Sequence, residues 1–90
     1  HDIIDPRTGY PAQGTASVTV LHSNASTADA AATALFIAGP GEWHRLARQM
    51  GIPYVMLTDT EGRVYMNPAM HDRVKLQRAT ADIIISEPLS

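Results

Sequence analysis

Residues 26–35 read Ser-Thr-Ala-Asp-Ala-Ala-Ala-Thr-Ala-Leu and set one acid, Asp29, among small and apolar neighbours. The run reads as a helix, and Asp29 and Thr33, four residues apart, share a face of it. It continues into Leu35, Phe36, Ile37 and Ala38, apolar almost all round, which predicts a buried element. A carboxylate beside a hydroxyl on such a face suits a hard, oxygen-liking cation such as Mg²⁺. The small neighbours also let something bulky approach closely. A second chemistry fits the same residues. Ser26 is a good N-cap with Asp29 three residues on, as in a capping box. An acid in the first turn also interacts favourably with the helix dipole. Thr33 can bond back to the carbonyl of residue 29. On this stretch alone both readings stand.

The elements that position this helix follow from punctuation and alternation. Residues 3–14 carry Asp5-Pro6-Arg7-Thr8-Gly9, then Pro11 and Gly14, which marks an ordered loop. Residues 15–21 alternate, with Val18 and Val20 on one face, and predict a strand. His22-Ser23-Asn24 is the turn into the helix, and Gly39-Pro40 ends it. A second helix is predicted at 41–50, with Trp43, Leu46, Ala47 and Met50 as one core stripe and Gly51 as its cap. Residues 53–58 and 62–66 read as strands joined by the turn Asp59-Thr60-Glu61-Gly62. Tyr54 and Tyr65 are read as strand residues that face a partner across this hairpin, with no cofactor role. Segment 67–81 is polar and irregular, and 82–86 is the last strand. The order β-α-α-β-β-β predicts an α+β fold, a small antiparallel sheet with two helices packed on one face.

Composition narrows the function classes. The chain of 90 residues makes one small domain, 1–90, with a limited core. Hydrophobic residues are 44% and charged residues 18%, which suits a globular chain rather than a disordered one. The net charge is −2 and the seven basic residues are scattered, apart from a loose group at 73–78, which argues against nucleic acid as a partner. Cysteine is absent, so there is no disulfide framework, thiolate metal site or thiol nucleophile. His1, His22, His44 and His71 lack zinc-ligand spacing and are read as ordinary surface or core residues. The longest apolar run falls far short of the roughly 20 residues that span a bilayer.

Two segments in order change the weight of these readings. Ile3-Ile4-Asp5-Pro6-Arg7-Thr8-Gly9-Tyr10-Pro11 resembles the His-Ile-Ile-Asp-Pro-x-Thr-Gly-x-Pro signature of FAD:protein FMN transferases, the ApbE family. Ser17-Val18-Thr19-Val20, followed by Ala28-Asp29 through Thr33-Ala34-Leu35, is similar to that family's strand and Ala-Asp-x-x-x-Thr helix. Gly39-Pro40, the helix after it, and Asp59-x-x-Gly62-Arg63-Val64-Tyr65 continue the likeness, which covers essentially residues 3–68.

The resemblance implies a fold and a reaction. It implies a piece of a larger ApbE-like, T-fold-like domain whose enzymes cut the diphosphate of FAD. They place the FMN half on a Thr or Ser hydroxyl of a target protein and release AMP. It implies Mg²⁺ as the metal, with Asp29 and Thr33 as ligands and further ligands from outside this chain. Ile4, in the loop that resembles the family's nucleotide-contacting segment, is the candidate FAD contact through its backbone. Asp5, Arg7, Thr8 and Gly9 are read as building that loop. Two departures bear on this. Asp2 stands where the family usually has His directly before Ile-Ile, and Ala32 stands where some members carry an acid before the metal-binding Thr. With one carboxylate fewer, the resemblance implies either a weaker metal affinity or a cation that leans more on the FAD phosphates.

The chain is therefore expected to be the C-terminal portion of such a transferase, without activity on its own. Its expected partners are FAD, an acceptor flavoprotein subunit and the N-terminal part of the same protein. By resemblance the parent is periplasmic or lipid-anchored in a bacterium. Rival readings are a Mg²⁺-dependent FAD pyrophosphatase, a non-catalytic flavin-binding or structural module, and an interaction domain unrelated to flavin.

Overall fold

A computed structural model describes residues 14–74 and 82–90 of the chain. Strand β1 (Thr15–Leu21) leads into helix α1 (Ala25–Ala38), then helix α2 (Trp43–Met50), strand β2 (Tyr54–Asp59), strand β3 (Val64–Met66), helix α3 (Pro68–Arg73) and strand β4 (Ile83–Ile85). The sheet order is β1-β2-β3-β4. Strands β1, β2 and β3 pair antiparallel, while β3 and β4 pair parallel, so the α+β class is as expected but the sheet is mixed. A parallel pair needs a crossover between its strands. Helix α3 supplies part of it, inside the segment expected to be irregular. Among the described residues no helix is long and apolar enough to cross a membrane.

The register sorts side chains onto two faces. Val18 opposes Leu57 and Val20 opposes Val55 across the β1–β2 pair, and Tyr65 opposes Leu57 across β2–β3. These residues meet Ala31 and Leu35 of α1, Trp43, Leu46 and Ala47 of α2, Ile52, and Leu89 of the C-terminal tail in one core. The two expected helices thus share a face. Met66 opposes Met56 and so points to the other face, where α3 adds buried Met70 and Arg73 lies 4.8 Å over the ring of Tyr54. Met50, expected in the α2 core stripe, is exposed instead.

The helix ends obey local chemistry. Asn24 caps α1, its side chain accepting from the Thr27 amide at 2.9 Å. Gly39 closes the helix at φ 80°, ψ −178°, a backbone region almost confined to glycine. At the end of α2, Gly51 takes φ 69°, ψ 29°, and the Gly51 and Ile52 amides donate back to the carbonyls of Arg48 and Ala47. This is the paired closure that left-handed glycine permits, with Ile52 buried beside it. Substituting Asn24→Ala is expected to lower stability by about 1 kcal/mol, read from the midpoint of chemical denaturation.

Buried Asn67 ties the centre of the sheet. Its Oδ1 accepts from the Val55 amide at 3.0 Å and its Nδ2 donates to the Pro53 carbonyl at 2.8 Å. The side chain thereby extends the β2–β3 ladder by one rung where β3 has ended. Removing it leaves a backbone donor and acceptor unmatched beside the core. Asn67→Ala is expected to cost about 2–3 kcal/mol in the same denaturation measurement. Asn67→Asp keeps the acceptor but sets a second carboxyl oxygen against the Pro53 carbonyl in a buried place, and is expected to cost at least as much.

Candidate functional site

Helix α1 carries the candidate site on the face turned away from the core. Ala31 and Leu35 are buried against the sheet and α2, while Asp29, Ala30 and Thr33 are exposed. Phe36 and Ile37 are also exposed, Ile37 at 70%. The expectation of a helix buried all round is thus corrected. One stripe faces the core, and a mostly small, partly apolar surface faces outward.

The capping reading of Asp29 is corrected as well. With Asn24 as N-cap, Ser26 is already the second helical residue and Asp29 the fifth. The carboxylate sits beyond the first turn, where neither an N-terminal amide nor the dipole gives it a role. Among the described residues nothing hydrogen-bonds to it. Thr33 does bond back, its Oγ1 donating to the Asp29 carbonyl at 3.1 Å. That bond uses the hydroxyl proton and leaves the oxygen's lone pairs available to a cation, so back-bonding and ligation are compatible.

The donor chemistry fits a hard cation of a particular kind. Asp29 and Thr33 offer one carboxylate and one hydroxyl, both oxygen ligands, one turn apart. Among the described residues no group of three or more His, Cys, Asp or Glu side chains could hold a metal ion. An all-protein cage is therefore not built from these residues. A cation shared with phosphate oxygens needs no such cage, since Mg²⁺ is typically held by one or two carboxylates plus phosphates and waters.

Ile4, the candidate nucleotide contact, lies outside the described residues, as does most of the loop around it. Where that loop joins the fold is described. The Gly14 carbonyl accepts from the Thr60 amide at 3.1 Å, and the Thr15 hydroxyl donates to the Phe36 carbonyl at 2.8 Å. The chain thus enters β1 beside the β2–β3 turn and the C-terminal end of α1. Asp29 lies seven residues before Phe36 on the same helix, about 10 Å along its axis.

Sequence reasoning missed one polar centre. Asp59 is 1% exposed at the end of β2. Its Oδ1 accepts from the Glu61 and Arg63 amides at 2.8 and 3.0 Å, and its Oδ2 accepts from the Tyr65 hydroxyl at 3.0 Å. Burial pushes this carboxyl up, but the Arg63 amide, the Tyr65 hydroxyl and the Glu61 amide together hold it below its ordinary value. Burial, then the bond to Asp59, pushes Tyr65 up. The signal was an acid opening a four-residue turn, a position where Asp commonly bonds forward to turn amides. Its geometry locks the hairpin, with Gly62 at φ 88° completing the turn. Tyr65 therefore faces Leu57 across the strands, as expected, while its hydroxyl serves the turn.

Comparison with known proteins bears on the helix that carries Asp29 and Thr33. Residues 1–56 match the sequence model of the ApbE family. The chain is 45% identical over 73 residues to a protein of Rhodobacter capsulatus named FAD:protein FMN transferase, an alignment covering 81% of this chain and 14% of that relative. The chain thus spans only a small part of the relative's length. No solved structure matches it significantly.

Proposed function

This chain belongs to the ApbE family, and on that premise we propose that it is part of a Mg²⁺-dependent transferase. The reaction moves FMN from FAD to a Thr or Ser hydroxyl of a target protein and releases AMP. The observation that carries this reading is the exposed pair Asp29 and Thr33, one turn apart on α1 and within the family-matched residues. When bound there, Mg²⁺ supplies positive charge that offsets the phosphates and the charge developing on the leaving AMP. Asp29 holds that charge in place through its carboxylate. Thr33 adds a second oxygen whose direction is fixed by its bond to the Asp29 carbonyl. The atoms balance simply. The acceptor oxygen bonds to the FMN phosphorus, the diphosphate P–O bond breaks toward AMP, and the acceptor proton departs to a base. Ile4 contributes a backbone contact to the nucleotide in this scheme, and the acceptor is a flavoprotein subunit. The parent is periplasmic or lipid-anchored.

Further protein ligands and most FAD contacts come from a longer polypeptide, since this chain matches only 14% of the length of the transferase it resembles. The 90-residue chain alone is accordingly expected to transfer no FMN. The test is intact mass of a flavoprotein subunit after incubation with the longer polypeptide, FAD and Mg²⁺. A gain of one FMN on the subunit, with AMP in solution, supports the transferase. FMN and AMP free in solution, with no gain on the subunit, would mean water is the acceptor and the protein is a pyrophosphatase. Neither product would reduce the chain to a binding or structural module.

A further inference from the structure

We draw no further inference here: the strongest candidate, the uncharged outer edge of strand β1 together with the exposed Phe36 and Ile37 of the α1 helix packed on it, is a partly apolar surface for which nothing among the described residues shows what covers it.

Discussion

In the longer polypeptide, Asp29→Ala is expected to lower FMN transfer by about a hundredfold or more while leaving the fold as stable as before. The two halves of this expectation come from different physics. A carboxylate that holds the cation on a diphosphate acts on a transition state worth several kcal/mol, and each 1.36 kcal/mol is tenfold in rate. The same carboxylate does nothing for folding that the structure records. It is exposed, lies beyond the first turn of α1, and has no hydrogen-bond partner among the described residues. Alanine is also the better helix former, so stability should hold or rise by about 0.5 kcal/mol. Transfer is read by intact mass of the acceptor, and stability by denaturation of the same preparation. Thr33→Ser keeps the hydroxyl and should retain most activity, whereas Thr33→Val keeps the shape and should lose it. Raising Mg²⁺ should partly rescue Thr33→Val, which retains the carboxylate, more than Asp29→Ala. Unchanged transfer by Asp29→Ala at limiting Mg²⁺ would remove this residue from the site.

The residues that could be read in advance are those whose backbone demand is local. Val18 and Val20 alternate in a strand whose bounds, Thr15–Leu21, match the sequence pattern. Gly39 and Gly51 end their helices because positive φ suits glycine there. Asp29 and Thr33 share a face because the helical period requires it. What stayed hidden depends on choices among equivalent groups or on distant partners. Ser23, Asn24 and Ser26 all cap well, and the winner is Asn24, whose own amide donates to His22 Nδ1 at 3.0 Å. The exposed side of α1 was obscured because alanine serves equally on a buried or an open face. Segment 67–81 reads as polar and irregular, yet Pro68 occupies the first turn of α3, where its missing N–H costs nothing. Ile83, Ile84 and Ile85 announce a strand but not its direction, and only the crossover makes it parallel to β3. Asp59 was visible as a turn residue, while its hydroxyl partner, Tyr65, is set by the strand register.

That register gives Asp59→Ala the largest expected loss of stability among single substitutions outside the apolar core. The carboxylate gathers three donors at the mouth of the β2–β3 hairpin, two of them backbone amides that otherwise hold the turn. Hydrogen bonds to a charged acceptor are worth more than neutral ones, and removing the acceptor leaves partly buried donors behind. The loss is expected to be about 2–4 kcal/mol, a large fraction of what a domain of this size can have. The exposed Arg63–Glu61 pair at 3.0 Å on the same turn contributes little by comparison. The bound donors also set the direction of the pH dependence. Because the folded carboxyl lies below its ordinary value, the folded chain binds that proton more weakly than the unfolded chain. The carboxylate's contribution is therefore fully present above the unfolded carboxyl's value, about 3.9, and is lost as pH falls from there through the folded value. Chemical denaturation at neutral pH and near pH 3 should show this loss in the unaltered chain. Asp59→Asn should start less stable and lose less on acidification, since it has no proton to gain at that site. Equal losses in both chains would show that other carboxylates govern the acid limb and that the three donors do not hold Asp59 ionised.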